Sequence, residues 1–286
     1  MTPRGPCSIT RAEYDAIDAV RWSVLKEMRK SPLHYRYREL HEPEVTPAML
    51  LGQGAHTAIL EPLQLLSDYV LWENGDRRGN AWKEFEATHT AAGKTILKRN
   101  EFELCVAMQQ AVRAHAEAAK YLVRGRAEQA IVWIDEETGL VCRARLDWLC
   151  DVPGLEVLVD VKSTQSVEGP IFGATAARLG HYAQVAMYLR GLRALGHLTQ
   201  AKIIAVEQRP PHDVAVFDVG GDELAAGDEE VGDLLRKVKE CRERGEWPGR
   251  YAAEQPLRLP AWFYASAEAD AGGALADLDL AGVEVG

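Results

Sequence analysis

The segment 129–162 constrains the fold more than any other part of the chain. Two apolar runs, at 131–134 and 140–149, flank the polar sequence Glu-Glu-Thr-Gly, an arrangement typical of a β-hairpin. A turn that contains Pro153-Gly154 then precedes a third apolar run at 156–162. The pattern therefore predicts three consecutive strands that form a meander.

Helical periodicity predominates outside these strands. A mostly helical segment is predicted at 9–40, where the pattern is interrupted at Ser31-Pro32. Further helices are predicted at 47–60, 100–123, 175–195 and 222–245, and two further strands at 201–207 and 213–219. The order of helices and strands indicates an α/β (α+β) fold.

The length of 286 residues is near the upper limit for a single hydrophobic core. We expect one domain at 1–265. The segment 266–286, which contains five carboxylates and no base, is expected to form an acidic, disordered tail. No apolar stretch is long enough to cross a bilayer, so we expect a cytoplasmic protein with no membrane partner.

The charge distribution bears on possible partners. The net charge of -10 argues against a protein whose whole surface attracts DNA. The charge is segregated, however: the block 213–233 has eight carboxylates and no Lys or Arg, whereas 21–38 has six bases and one acid. A local DNA-binding surface is therefore compatible with the composition. The five cysteines include no C-x-x-C pair, which favours reduced thiols over a zinc or iron-sulfur site.

Two carboxylates and a lysine are predicted to converge on the meander. Asp160 and Lys162 are two residues apart, so their side chains project from one face of the third strand. Asp147 ends the preceding strand, and antiparallel pairing would bring it within a few ångströms of Asp160. Two carboxylates suit Mg²⁺ or Mn²⁺, and a lysine beside them could orient or deprotonate water for phosphodiester hydrolysis. Alone, the Asp-x-Lys sequence also fits an exposed charged strand edge.

Two predicted helices contribute further polar side chains. His181, Gln184 and Tyr188 share one helical face, and Tyr182 lies just beside it. This face either belongs to the site or makes ordinary solvent and core-edge hydrogen bonds. His56, within the helix at 47–60, is either a structural histidine or a metal ligand.

Several motifs occur in a fixed order along the chain. They are Ser31 to Tyr37, Gly52 to Thr57, Leu60-Glu61-Pro62, Glu128, Cys142 to Asp147, Asp160 to Thr164, the helix with Tyr182, Gln184 and Tyr188, Glu246-Trp247-Pro248, and Leu259 to Trp262. Together they resemble the exonuclease branch of the PD-(D/E)XK superfamily, and most closely the nuclease domain of the RecE exonuclease (exonuclease VIII) of prophage recombination systems. The resemblance spans most of the chain.

The resemblance implies a restriction-endonuclease-like core, with a central mixed β-sheet flanked by helices. It also implies a metal centre with Mg²⁺, or alternatively Mn²⁺, bound by His56, Asp147, Asp160 and the Val161 carbonyl. Lys162 would act on the attacking water. No iron-sulfur cluster is expected, because the chain lacks the cysteines of the relatives that carry one.

The same resemblance implies supporting roles for other polar residues. Glu128 would support the metal site, while Gln184, Tyr188 and, more weakly, Tyr182 would hold the active centre and the DNA backbone. One departure is Leu146, which occupies the usual proline position before the motif aspartate. This departure should alter local turn geometry and leaves the Asp147 carboxylate in place.

The activity implied by the resemblance is processive 5′ to 3′ degradation of linear double-stranded DNA from its ends. The protein would form a ring-shaped homo-oligomer in the cytoplasm of a bacterial host and would leave 3′ single strands for a single-strand annealing protein. An endonuclease or defence nuclease of the same fold is an alternative. A DNA-binding protein that has lost catalysis is another.

An exonuclease of this kind is expected to bind a 5′-phosphate. The candidate residues are the bases of the N-terminal stretch, Arg29, Lys30, Arg36 and Arg38. Alternatively, these bases form a solvated helix face.

Overall fold

The computed structural model describes residues 4–152 and 155–261. The chain divides into two units between Trp247 and Pro248. In the second unit, residues 248–260 carry no helix or strand. The predicted domain boundary at 265 and the acidic tail at 266–286 lie outside the described residues.

A six-stranded mixed sheet lies at the centre of the first unit, in the order β1-β4-β5-β6-β7-β8. The strands of the chain are β1 (Arg4–Cys7), β2 (Tyr69–Trp72), β3 (Thr95–Lys98), β4 (Gly125–Ile134), β5 (Val141–Val152), β6 (Leu155–Thr164), β7 (Thr199–Glu207) and β8 (Val214–Asp218). β6 and β7 are parallel, whereas the other neighbours in this sheet are antiparallel. The predicted mixed sheet and the meander β4-β5-β6 are therefore confirmed.

Helices cover both faces of the sheet. They are α1 (Arg11–Asp15), α2 (Trp22–Leu25), α3 (Pro32–Leu40), α4 (Pro47–Leu60), α5 (Pro62–Asp68), α6 (Gly79–Ala91), α7 (Arg99–Ala114), α8 (Ala116–Leu122), α9 (Gly169–Leu179), α10 (His181–Ala194) and α11 (Gly221–Arg244), with a 3₁₀ turn at Lys26–Arg29. One hydrophobic cluster joins the sheet to α2, α10 and α11, and a second joins it to α4, α7 and α8. None of the described helices is long and apolar enough to cross a membrane.

Strand β6 contributes to both clusters through regular alternation. Val157, Val159 and Val161 pack in the cluster with α4 and α7, whereas Leu158 packs on the side of α10 and α11. Asp160 and Lys162 are two and four residues beyond Leu158, so their side chains project from the same face of β6 as that of Leu158. The alternation thus directs both site residues toward the α10 side.

Two predicted helices are each divided in the structure. The segment predicted as one helix at 100–123 ends at Ala114, and His115 caps a new helix by accepting a hydrogen bond from the Ala118 amide. The segment predicted as one helix at 175–195 is divided at Gly180. Sequence periodicity did not predict β1, the parallel pair β2-β3, or α5 and α6. Those strands are only four residues long, too short for a periodic signal.

Gly180 is required where α9 meets α10. Its φ of 76° and ψ of 34° lie in the left-handed region. A Cβ at this position would also come within 2.6 Å of Arg29 Nη1 and 2.7 Å of the Trp22 ring. The break in the helix therefore depends both on backbone freedom and on the absence of a side chain.

We expect Gly180→Ala to lower the free energy of unfolding by about 1–2 kcal/mol from the left-handed backbone alone, with steric overlap adding to the loss. Gly173→Ala is the matched control, because Gly173 lies within α9 and a Cβ there meets no atom within 4 Å. That control should be neutral or stabilising by up to about 1 kcal/mol. Urea denaturation of both variants measures the difference in stability. Equal midpoints for the two variants would contradict the requirement for glycine at position 180.

Candidate active site

In β4 and β5, the regular alternation of side chains between the two faces of the sheet is interrupted at neighbouring positions. Leu146 and Trp148 are two residues apart but pack in the clusters on opposite faces. Across the strand pair, the ladder passes from Gln129↔Leu146 to Ala127↔Trp148. Glu128 lies between these pairs with a φ of 52°, a conformation that costs energy for a non-glycine residue. The irregularity therefore lies directly beside Glu128 and Asp147.

Asp147 links a helix to the neighbouring strand. Its Oδ2 atom lies 2.7 Å from His56 Nε2 on α4 and accepts a hydrogen bond of 2.9 Å from the Val161 amide on β6. The ladder between β5 and β6 begins only beyond this point, at Trp148↔Val159. Asp147 therefore occupies the place where β5 and β6 separate.

Glu128 completes a chain of charged groups on this side. One of its carboxylate oxygens lies 3.4 Å from His56 Nδ1, and the other forms an ion pair with Arg145. His56 is thus held between the carboxylates of Glu128 and Asp147. This contact agrees with a supporting role for Glu128, which remains a prediction.

Asp160 is a fully buried carboxylate. Its Oδ2 atom lies 2.6 Å from Lys162 Nζ, and its Oδ1 atom has no hydrogen-bond partner among the described residues. An ionised carboxylate without full compensation is costly in an apolar interior. The arrangement is therefore typical of a functional site.

The electrostatics shift the pKa values of the two aspartates in opposite directions. Burial raises the pKa of Asp160 to about 6, and the charge of Asp147 adds to the rise against the opposing charge of Lys162. Burial also acts to raise the pKa of Asp147, but the charges of His56 and Lys162 hold it at about 2. Burial acts to lower the pKa of His56, but the Asp147 carboxylate outweighs this effect and raises the pKa to about 10. Opposed shifts in neighbouring carboxyl groups are common in active sites.

The donor set fits a divalent cation. It combines an imidazole nitrogen of His56 with oxygens of Asp147 and Asp160, including the unpartnered Oδ1 of Asp160. Hard oxygen ligands with one nitrogen suit Mg²⁺ or Mn²⁺. Across the described residues, no three His, Cys, Asp or Glu side chains already surround one point. His56 and Asp147 contact each other instead, as do Lys162 and Asp160.

Val161 lies between the two halves of the site. Its side chain is buried, and its amide hydrogen bonds to Asp147. Its carbonyl as a metal ligand remains a prediction. His56 and Asp147 contact each other, and the charges of both act on Asp160, so the three predicted ligands are near neighbours, while their role as ligands is likewise untested.

Two clefts meet at this centre. The His56 cleft has a volume of about 860 Å³ and is lined by His56, Glu61, Glu128, Arg145 and Asp147 among others. The Lys162 cleft has a volume of about 340 Å³ and is lined by Lys26, Arg143, Arg145, Lys162, His181, Gln184 and Tyr188 among others. Arg145 lines both clefts. The candidate site therefore opens in two directions.

The polar helix face predicted on α10 lines the Lys162 cleft. Gln184 Nε2 donates a hydrogen bond of 2.8 Å to the Tyr188 hydroxyl. Burial raises the pKa of Tyr188 well above its usual value, and the charges of Asp147 and Asp160 add to this effect. Burial also lowers the pKa of His181 to about 3, aided by Lys162 and Lys26. His181 is therefore a neutral imidazole in this cleft.

Tyr182 and Arg29 take part in a contact that ties the N-terminal segment to α10 and α11. The Arg29 guanidinium lies near the rings of Trp22 and Tyr182, at 5.4 Å and 5.8 Å, and donates to Glu230. The Tyr182 hydroxyl donates to Glu230 at 2.5 Å. These contacts give both residues a packing role that does not depend on DNA.

The other bases predicted to bind DNA are also paired. Lys30 lies 2.6 Å from Glu27, Arg36 lies 2.5 Å from Glu39, and Arg38 lies 3.4 Å from Glu42. Neither Arg29 nor any of these three bases lines the two clefts. Their DNA-binding role therefore remains a prediction without a contact that supports it.

Sequence reasoning did not assign roles to Arg143, Arg145 and Lys26, which line the Lys162 cleft. The alternation Arg143, Arg145, Asp147 was a usable signal, because residues two apart share one face of a strand. No comparable signal exists for Lys26. Its sequence neighbours Arg29 and Lys30 are also basic, and only the fold separates them.

The geometry can be set beside known proteins. Residues 22–256 match the model of the family described as PDDEXK-like domain of unknown function (DUF3799). The chain belongs to this PDDEXK-like family. The match includes His56, Asp147, Asp160 and Lys162, and the mixed sheet flanked by helices is the family's fold. No curated protein matches the chain.

One solved structure shows the same fold. A protein of Eubacterium rectale named "Putative exonuclease" shares 15% identity with this PDDEXK-like chain, with a TM-score of 0.60 over 89% of this chain and 96% of that one. At this identity the likeness shows the fold. SSO0001 (TM-score 0.28, 12% identity, 83% of this chain and 96% of that one) and VC1899 from Vibrio cholerae (0.22, 12%, 78% and 57%) are too distant to carry an argument.

If His56, Asp147 and Asp160 bind a divalent cation, Mg²⁺ or Mn²⁺ should raise the thermal unfolding temperature relative to EDTA. A ligand at 100 times its dissociation constant stabilises the folded state by about 2.7 kcal/mol. Asp160→Asn should abolish the shift. Asp151→Asn removes an exposed carboxylate from β5, the strand that carries Asp147, and should retain the shift. An equal shift in both variants would place the cation elsewhere.

Proposed function

We propose that this PDDEXK-like protein is a divalent-metal-dependent nuclease that hydrolyses phosphodiester bonds of DNA. The observation that carries the proposal is the fully buried Asp160, held against Lys162 and close to Asp147 where the two clefts meet. The fold family supports the same reading. An Asp-x-Lys sequence on an exposed strand edge would not be buried in this way.

The side chains divide the chemistry between them. A bound divalent cation would neutralise the two carboxylates and polarise a phosphoryl oxygen. Lys162 lies beside Asp160 and lines the cleft, and its ammonium group would orient the attacking water. Gln184 and Tyr188, hydrogen bonded to each other, offer polar contacts to the same region. Glu128 and Arg145 hold His56 in position.

We propose further that the substrate is the end of linear double-stranded DNA, digested 5′ to 3′ with Mg²⁺ to leave a 3′ single strand. The motif resemblance to the exonuclease branch supports this proposal. The fold shared with the protein named as an exonuclease is consistent with it. A ring-shaped homo-oligomer, a single-strand annealing partner and a place in the bacterial cytoplasm belong to the same proposal.

A cleavage assay tests the proposal on linear duplex DNA labelled at the 5′ or the 3′ end, beside a covalently closed circle. With Mg²⁺ we expect loss of the 5′ label from linear DNA only, and none with EDTA. Lys162→Gln should lower kcat by about 10²–10⁴-fold, because it removes a group that acts in the transition state. Asp160→Asn should have a similar or larger effect, whereas Asp151→Asn should be active.

Each other result selects a different function. Cutting of the closed circle would identify an endonuclease, and release of the 3′ label first would reverse the polarity. DNA binding without cleavage in any divalent metal would identify a binding protein. Full activity of Lys162→Gln would show that the lysine stabilises Asp160 without acting in hydrolysis.

A further inference from the structure

The Lys162 cleft has a strongly positive lining. Its basic residues are Arg21, Lys26, Arg143, Arg145 and Lys162, and no carboxylate is among its described lining residues. The His56 cleft differs, because four carboxylates line it: Glu61, Asp68, Glu128 and Asp147. A polyanion would therefore enter the Lys162 cleft in preference to the His56 cleft.

Three of the five bases already have carboxylate partners. Arg21 pairs with Asp15 and Glu42, Arg145 with Glu128, and Lys162 with Asp160. Lys26 and Arg143 form no ion pair with any described carboxylate. Two uncompensated cations thus share one cleft, although the chain as a whole carries a net charge of -10.

Arg143 is buried in an unusual way for a guanidinium. Its residue is only 5% exposed, one of its terminal nitrogens donates to the Tyr14 carbonyl, and its charge lies 4.6 Å from the centre of the Tyr14 ring. Its Nε atom has no hydrogen-bond partner among the described residues. Burying a cation without a counter-charge is costly, so an anionic ligand would compensate a cost already present in the fold.

Lys26 stands on the 3₁₀ turn with its side chain half-buried at the same cleft. Burial lowers its pKa, and the charges of Lys30 and Lys162 act in the same direction against Glu27. The nearby positive groups therefore destabilise the Lys26 ammonium in the absence of an anion. A phosphate bound at Lys26 would offset this repulsion, and Arg143 lines the same cleft.

The position of Arg143 separates this pair from the metal centre. Arg143, Arg145 and Asp147 share one face of β5, because Ala144 and Leu146, which lie between them, pack in the cluster on the opposite face. At a rise of about 3.3 Å per residue, the Arg143 backbone lies about 13 Å from that of Asp147. This separation allows one strand in the cleft to place different phosphates at Arg143 and at the metal centre.

We infer that Lys26 and Arg143 form a phosphate-binding subsite of the Lys162 cleft, which holds the substrate strand at a phosphate away from the scissile one. The inference rests on the proposed nuclease function. The phosphate is either a terminal phosphomonoester or an internal phosphodiester of the strand, since both present anionic oxygens to the same cations.

Equilibrium binding across a salt series tests the subsite without relying on turnover. All proteins carry Asp160→Asn to prevent cleavage, and the probe is a fluorescent duplex with a 5′-phosphate or a 5′-hydroxyl end. Adding Lys26→Gln should weaken binding about tenfold. It should also reduce the slope of log affinity against log salt by about 0.9, the value for one lost phosphate contact. Lys237→Gln, an exposed base on α11 that lines neither cleft, should leave the slope unchanged.

Arg143 is tested by two substitutions, because its loss could disturb the fold. Arg143→Lys keeps the positive charge and should keep most of the salt slope, whereas Arg143→Gln should lose about one contact. Thermal unfolding identifies any variant that fails to fold. If the Arg143 variants do not fold, the result for Lys26→Gln alone decides whether the subsite exists. A Lys26→Gln slope equal to that of Lys237→Gln overturns the subsite.

The two duplex ends separate the sources of the phosphate. A loss of affinity confined to 5′-phosphorylated DNA assigns the subsite to the terminal phosphate. An equal loss of affinity for both kinds of end assigns it to an internal phosphate. Wild-type protein that neither binds nor cleaves DNA would overturn the proposed function itself. Wild-type cleavage with an unchanged Lys26→Gln slope would overturn the subsite alone.

Discussion

The buried Asp160 carboxylate is the constraint around which the site is built. A carboxylate with no exposed surface, one oxygen without a hydrogen bond and a second carboxylate nearby is unfavourable in a protein interior. Lys162 offsets part of this cost through a contact of 2.6 Å. The remaining imbalance is what a bound divalent cation would correct.

A local irregularity in the sheet gives this carboxylate its neighbours. Regular alternation along β6 directs Asp160 and Lys162 to the α10 side, where Gln184 and Tyr188 line the Lys162 cleft. Asp147 reaches His56 on the opposite layer, next to the position where β4 and β5 change their alternation. The sheet can therefore join two helical layers at one point, and the two clefts open on either side of it.

The distribution of charge explains how an acidic chain can serve a polyanionic substrate. Most bases of the N-terminal stretch are neutralised by nearby carboxylates, as Arg29 is by Glu230 and Arg36 by Glu39. Lys26 and Arg143, which form no ion pair with a described carboxylate, line the cleft next to Lys162. Net charge and local potential are thus separate properties of this protein, and only the second bears on the proposed binding of DNA.

The sequence by itself determined the meander, the flanking helices and the shared face of Asp160 and Lys162, because period-two and period-3.6 patterns are local. Ordered motifs also indicated His56, Glu128, Gln184 and Tyr188, whose contacts the structure describes without testing their roles. Tertiary structure alone decided which bases are paired with carboxylates and where Gly180 divides a helix. It also decided that the side-chain alternation of β4 and β5 is interrupted at Glu128. These features depend on partners distant in the sequence: Arg29 and Glu230 are 201 residues apart, and His56 and Asp147 are 91 apart. No local pattern encodes such pairings, because they arise only when packing brings the elements together.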